Sequence, residues 1–170
     1  HAVQDLAIAV ETPVKHALRA ARPMDFAAEV QPVIQTPDHS SFPSGHATEA
    51  FIIASVLHRL MTGESATQGV ASRAMPFHVA HRIATNRTVA GVHFPVDSLA
   101  GALAGCALAD AVFAKAKGGK VSSLSMTDLD TDDAAKDSDF RLDDLATRLA
   151  DATPQGVVAA NPIQRAFWNK

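Results

Sequence analysis

The chain has 170 residues, 47% of them apolar, and a formal net charge of −3. This composition suits one domain with a sizeable core and gives no sign of the basic surface that nucleic-acid binding requires. The single cysteine, Cys106, excludes an intrachain disulfide and leaves the compartment undetermined. Because it lies among alanine, leucine and glycine residues, it is expected to be a buried packing residue.

Apolar residues recur at intervals of three and four, and no segment alternates in the manner of a strand, which predicts an all-α helix bundle. A first helix is predicted over residues 3–22, where Pro23 stops it. After a proline-rich loop, a second helix is predicted over residues 45–62. One apolar face of this second helix is expected to carry Ala50, Ile53, Ala54 and Leu57.

Two further helices are predicted before residue 120. The third covers residues 67–88, with a kink or break at Pro76. The fourth begins with Pro95, where a missing amide hydrogen costs nothing, and ends near Lys117. Its most apolar stretch, residues 98–115, is expected to be too short and too weakly hydrophobic to span a membrane.

The composition changes near residue 120, where an aspartate-rich stretch with few large apolar residues begins. We therefore divide the chain into a helical domain over residues 1–120, an acidic linker over residues 121–140, and a C-terminal helix and tail over residues 141–170. Three leucines spaced for one helix face and two terminal aromatic residues are expected to pack on the bundle: Leu142, Leu145, Leu149, Phe167 and Trp168.

Three separated stretches of the sequence contain residues suited to a binding or catalytic site. The first two could offer cations and free backbone amides to an anion. Lys15 and Arg22 are seven residues apart, two helical turns, and are therefore expected to project from one helix face. Residues 43–46 read Pro-Ser-Gly-His, and the amides of the glycine and histidine can point outward at a helix start, where an anion binds well. Each has an ordinary alternative: basic residues line solvated helix faces, and Ser44 can cap the helix.

The third stretch places Arg87, His93 and Asp97 at intervals of six and four. Pro95 is expected to put Asp97 in the first turn of the fourth helix, where its carboxylate can reach back to an imidazole nitrogen. A histidine oriented by a carboxylate is suited to act as a nucleophile or a base. The alternative is a capping aspartate beside an unrelated core histidine.

Together these stretches resemble the superfamily of type 2 phosphatidic acid phosphatases, bacterial acid phosphatases and vanadium haloperoxidases. The signatures are Lys-x6-Arg-Pro, Pro-Ser-Gly-His and Ser-Arg-x5-His-x3-Asp, which occur here in order between Lys15 and Asp97. One departure is Asn86, where the family usually has serine. A second is that only fourteen residues precede Lys15 in this sequence, whereas the family usually has one or more helices before the corresponding helix. A further segment, a partner chain or a second copy is expected to supply them.

The resemblance implies an all-α bundle of the acid phosphatase and haloperoxidase type and a role for each matched residue. His93 would attack phosphorus to give a phosphohistidine, with Asp97 fixing the imidazole tautomer. His46 would protonate the leaving alkoxide and then activate water. The phosphate oxygens would be bound by Lys15, Arg22, Ser44, Gly45 and Arg87.

Three functions remain open from the sequence. The first is a phosphoric monoester hydrolase that acts on a small soluble phosphate ester and needs no cofactor or metal. The second is a vanadate-dependent haloperoxidase, with vanadate held at His93 and with peroxide and a halide as substrates. His39 favours it, because bromide-oxidising relatives tend to carry a histidine there. The third is a noncatalytic oxyanion-binding module.

No metal site is predicted elsewhere. His78 and His81 are three residues apart on a predicted helix, but the sequence places no third ligand, so an exposed or hydrogen-bonded pair is expected. The aspartates from Asp128 begin like a calcium loop, but Asp133 stands where that loop needs glycine.

Overall fold

The computed structural model describes residues 1–123 and 138–158. This part of the chain is mostly helical, as the spacing of apolar residues predicts. The helices are α1 Ala2–Leu18, α2 Pro23–Phe26, α3 Gly45–Thr62, α4 Ala66–Ala71, α5 Met75–Val89, α6 Pro95–Lys117 and α7 Leu142–Ala150. The strands are β1 Gly119–Ser123 and β2 Thr153–Val158.

Helices α3 and α6 form the centre of the bundle and lie unusually close together. A Cβ atom at Gly105 would lie 2.8 Å from the Ile52 amide nitrogen, and one at Gly101 would lie 2.9 Å from the Ala47 Cβ. Glycine at both positions therefore permits the approach of the two backbones. This close approach brings the N-terminus of α6 against the turn that begins α3.

The first helix ends four residues earlier than predicted. Arg19 adopts the left-handed conformation, with φ 48°, and its amide donates to the Lys15 carbonyl at 3.0 Å. Arg22 is extended, as a residue before proline prefers to be, and Pro23 starts α2 rather than stopping α1. The prediction of one helix over residues 3–22 is therefore wrong, because a left-handed C-terminal residue breaks the helix before the proline acts.

The second helix has the predicted bounds, but its buried face differs from the predicted one. Leu57 is 48% exposed, whereas Phe51, Ser55 and His58 are buried. The buried face is wider than the four apolar positions suggested, because α3 packs against α1, α5 and α6 at once. The predicted break at Pro76 is confirmed, since α4 and α5 are separate helices and Pro76 lies in the first turn of α5.

Helix α6 has the predicted bounds. Its 23 residues are enough, by length and composition, to cross a membrane, so the expectation that its apolar stretch is too short and too weakly hydrophobic to do so is not confirmed. In its most apolar window 61% of the residues are buried inside the protein, which is also typical of the central helix of a bundle. Cys106 lies there, fully buried and within 3.6 Å of the Ser55 hydroxyl, which confirms its packing role.

The C-terminal region contains one predicted element and one that was not predicted. Helix α7 buries Leu142, Leu145 and Leu149 against the core, as their spacing indicates. Strands β1 and β2 pair antiparallel, which corrects the expectation that no segment forms a strand. Most of the predicted acidic linker and the aromatic residues Phe167 and Trp168 lie outside the described residues.

The outer face of α1 is apolar and exposed in the described structure. Leu6, Val10, Val14 and Leu18 follow one another at intervals of four and are 36 to 53% exposed. The expectation that a further segment, a partner chain or a second copy completes the bundle stays a prediction.

Candidate active site

The three polar stretches meet at the start of α3. The Ser44 amide donates to the Asp97 carbonyl at 2.9 Å, which ties the start of α3 to the start of α6. Lys15 Nζ and Arg22 Nη2 both donate to the carbonyl of Ser40, at 3.2 and 3.4 Å. Side chains from α1, from the residue that caps α2, and from both central helices therefore converge on one place.

His93 and Asp97 form a buried pair at the start of α6. Nδ1 of His93 lies 3.1 Å from Asp97 Oδ2, and both side chains are 3% exposed. The same carboxylate oxygen accepts from the Phe94 amide at 2.9 Å and from the Ser41 hydroxyl. Because Nδ1 is engaged, Nε2 is the ring nitrogen left to face a ligand.

The environment of His93 favours the neutral form of its imidazole. Burial lowers the pKa of His93 below its ordinary value, while the hydrogen bond and the charge of Asp97 act in the opposite direction. The nearby cations Arg22 and Lys15 lower this pKa further. A neutral ring with one nitrogen held by a carboxylate is the form that a nucleophile requires.

Lys15 is a buried cation whose donors are partly used by backbone carbonyls. The residue is 3% exposed, and its ammonium donates to the carbonyls of Ser40 and Pro43. An ammonium has three donors, so one is left for a ligand. Burial lowers the pKa of Lys15, and the carboxyl of Glu11, one helical turn earlier, acts against that shift.

Arg22 reaches the site from outside α1, so the prediction that it shares a helix face with Lys15 is wrong. Its Nη1 donates to the Val92 carbonyl at 2.6 Å and its Nη2 to the His39 carbonyl at 3.0 Å. Its Nε is buried with no hydrogen-bond partner in the described part of the chain. Arg22 and Lys15 do come together, but the loop after α1 brings Arg22 there, not the periodicity of one helix.

Arg87 supplies a third cation from the last turn of α5. Its Nε is also buried and lacks a hydrogen-bond partner among residues 1–123 and 138–158. Burial lowers the pKa of Arg87, but a guanidinium stays charged in proteins. A buried, charged donor without a partner is costly, which makes an anion the natural complement of this site.

The turn before α3 caps the helix and also presents donors. The Ser44 side chain accepts from the Ala47 amide at 3.5 Å, so the capping alternative is realised. Its hydroxyl proton remains available for a second bond. Gly45 and His46 occupy the first turn of α3, where amides have no acceptor within the helix and favour an anion.

His46 and His39 lie on the exposed side of the site. Partial burial lowers the pKa of His46, the charge of Arg87 lowers it further, and Glu49 acts in the opposite direction. His39 Nδ1 lies 3.4 Å from Arg22 Nη2. Beside them is an open pocket of about 540 Å³ whose lining includes Arg19, Arg22, Asp25, Asp38 and His39.

Sequence reasoning missed two residues of this site. Ser41, fully buried, donates to Asp97 and lies 3.3 Å from His93 Nδ1. Glu11 is a carboxyl buried beside Lys15. The available signals were the position of Ser41 two residues before Pro43 of the Pro-Ser-Gly-His turn and the four-residue spacing from Glu11 to Lys15, which places both on one helix face.

The described residues hold no cluster of three or more metal-ligating side chains. His78 is exposed, and His81 Nε2 lies 2.8 Å from the Phe140 carbonyl. The histidine pair on α5 is therefore one exposed and one hydrogen-bonded side chain, as expected.

Comparison of the sequence with known proteins identifies the family of this chain. No curated protein matches the chain. The family model for the PAP2 superfamily matches residues 5–117, which run from α1 to the end of α6 and include all three polar stretches. The chain therefore belongs to the PAP2 superfamily, a group of phosphatase-type enzymes and haloperoxidases.

Proposed function

We propose that the chain is a phosphoric monoester hydrolase that works through a phosphohistidine on His93. The observation that carries the proposal is the buried His93–Asp97 pair, with Nδ1 engaged and Nε2 left open, beside two arginines whose buried Nε atoms lack partners in the described structure. A neutral nucleophile surrounded by cations suits attack on a phosphate ester.

In the first step, His93 Nε2 attacks phosphorus, and a nitrogen–phosphorus bond forms as the bond to the ester oxygen breaks. Asp97 holds the Nδ1 proton and stabilises the imidazolium that develops. His46 donates its proton to the departing alkoxide, so the leaving group departs as a neutral alcohol.

In the second step, His46, now neutral, takes a proton from water as the water oxygen attacks phosphorus. The nitrogen–phosphorus bond breaks, which releases phosphate and restores His93. Burial and the charge of Arg87 lower the pKa of His46, which favours the neutral form that this second step needs, and Glu49 acts against that shift.

The cations would bind the three equatorial oxygens of the transferring phosphoryl group. Lys15 has one donor left, and Arg22 and Arg87 each have a buried Nε without a partner in the part described. The Ser44 hydroxyl and the Gly45 amide complete the set. Loss of one preorganised donor of this kind typically costs roughly 100-fold to 1,000-fold in rate.

A vanadate-dependent haloperoxidase is the second candidate, and the position of His39 favours it. The open Nε2 of His93 and the unpartnered Nε atoms of Arg22 and Arg87 also fit a resident vanadate. Vanadate held there would supply Lewis-acid activation of peroxide for oxidation of a halide. In this candidate, His39, which is exposed and has Nδ1 3.4 Å from Arg22 Nη2, would meet the incoming halide.

The test measures hydrolysis of p-nitrophenyl phosphate by the His93→Ala variant. Removing a nucleophile that acts as one unit with its partners is expected to lower kcat by roughly 10,000-fold or more. His78→Ala, an exposed histidine on α5, is the matched control and should retain activity. Phosphatase activity that survives His93→Ala would overturn the proposed mechanism.

A parallel assay separates the three functions. The protein is loaded with orthovanadate and supplied with peroxide, bromide and a dione reporter. Bromination that depends on His93, without ester hydrolysis, would select the haloperoxidase. If neither reaction occurs while orthovanadate still binds, the chain is a noncatalytic oxyanion-binding module.

A further inference from the structure

We propose that Glu11 is a positioning residue that acts through Lys15 and makes oxyanion binding depend on pH. When Glu11 carries a proton, the charge of Lys15 is available to the bound oxyanion. When Glu11 is ionised, it offsets that charge and weakens binding. The inference rests on the proposed function, because it concerns the same oxyanion site.

The position of Glu11 is the first observation. It lies one helical turn before Lys15 on α1 and is 8% exposed. Its carboxyl packs against Gly45 of the turn that begins α3, because a Cβ atom at Gly45 would lie 3.1 Å from Glu11 Cδ. The carboxyl therefore sits between a site cation and the amide donors of the turn.

One carboxyl oxygen of Glu11 is buried without a hydrogen-bond partner. This oxygen, Oε2, has no partner within the described residues. A buried carboxylate oxygen that accepts no hydrogen bond is costly, which favours the protonated carboxyl. A hydrogen bond with Thr48 acts in the opposite direction and lowers the pKa of Glu11.

The burial of Glu11 outweighs the charges around it. Burial raises the pKa of Glu11 to about 7, although the charge of Lys15 and the hydrogen bond with Thr48 lower it and the charge of Glu49 raises it. Among the described residues, these two are the charged groups that face Glu11: Lys15 on its own helix and Glu49 on α3. Helix α6, which also packs on α1, contributes no facing charge there. The group therefore changes its charge close to neutral pH.

The coupling must act in both directions. If protonation of Glu11 strengthens oxyanion binding, then binding of an oxyanion must raise the affinity of Glu11 for its proton. The folded protein should consequently take up protons as it binds an anion near or above neutral pH.

Calorimetric titration with tungstate tests the inference, because the charge of tungstate does not change across neutral pH. We expect the affinity of the native protein to fall by roughly 5-fold or more between about pH 6 and about pH 8. Glu11→Gln, which mimics the protonated carboxyl, should bind tungstate tightly at both values. A fall in affinity of the same size in Glu11→Gln would overturn the inference.

Glu49→Gln is the matched control, since it removes the other carboxylate of this cluster. It should keep the pH dependence and move it to lower pH, because Glu49 raises the pKa of Glu11. Loss of the pH dependence in Glu49→Gln alone would assign the effect to Glu49 and overturn the inference.

If Glu11→Gln does not fold, His46→Ala decides the matter, because it removes the exposed imidazole that could also take up a proton at the site. Titrations of this variant in buffers of different ionisation enthalpy report the protons taken up on tungstate binding. Uptake of a substantial fraction of a proton near about pH 7.5 supports the inference, and no uptake overturns it. Tungstate that binds without pH dependence leaves the proposed function standing, whereas no binding at any pH would remove both.

Discussion

The inner and outer ends of the site are built in opposite ways. At the inner end, His93 and Asp97 are 3% exposed and fixed by several hydrogen bonds. At the outer end, His46 and His39 are exposed. A nucleophile needs one tautomer in one orientation, whereas a group that exchanges protons with a leaving group and with water needs access to solvent.

The histidines at the two ends differ more in burial than in the direction of their pKa shifts. Burial lowers the pKa of both His93 and His46. Asp97 opposes the shift at His93 through a direct hydrogen bond, while Glu49 opposes it at His46 by charge alone. The inner histidine thus has an orienting partner, whereas the outer one is exposed, as the proposed proton donor would need to be.

The largest effect is expected at the inner end, from Asp97→Asn. The amide cannot hold the Nδ1 proton of His93 or stabilise the developing imidazolium, so kcat for p-nitrophenyl phosphate should fall by roughly 100-fold to 10,000-fold. Thermal melting of the variant should accompany the assay, because Asp97 Oδ2 also accepts from Phe94 and Ser41. A folded variant with nearly native kcat would show that Asp97 only caps α6.

A smaller and more selective effect is expected at the outer end, from His46→Ala. General acid catalysis matters most for a leaving group that is a poor acid, so with p-nitrophenyl phosphate the loss in kcat should be near the lower end of its usual range, roughly 100-fold. The loss in kcat should therefore be larger for an alkyl phosphate than for p-nitrophenyl phosphate. Equal losses for both esters would contradict the role of His46 as proton donor.

The smallest effect on ester hydrolysis is expected from His39→Ala. The His39 ring contacts Arg22 at 3.4 Å, but Arg22 keeps its bonds to the backbone carbonyls of Val92 and His39 in the variant. We expect a change in kcat/KM within roughly 5-fold, since an exposed side chain without a chemical role usually matters little. A loss confined to bromide oxidation in the vanadate-loaded protein would instead support the haloperoxidase.

Much of the helical frame could be predicted because its signals are local. Pro95 and the following apolar run defined α6, and Pro76 separated α4 from α5. The end of α1 could not be predicted, since the left-handed conformation of Arg19 has no glycine to announce it. Pairing of β1 with β2 joins segments far apart in sequence, which periodicity within one segment cannot reveal.

The candidate site was predicted in part. The spacing of four between His93 and Asp97 indicated their contact, because Pro95 fixed the start of α6. Ser41 and Glu11 were missed, since their roles depend on partners in other elements: Asp97 on α6 for Ser41, and the turn at Gly45 for Glu11.

The sequence alone determined the helical class, the start of α3, both bounds of α6, and the residue types that an oxyanion site needs. Each depends on interactions between residues a few positions apart. Only the tertiary structure decided how Arg22 reaches the site, which face of α3 is buried and how close α3 lies to α6. Those features follow from packing between distant segments, where small residues such as Gly101 and Gly105 set the distance between backbones.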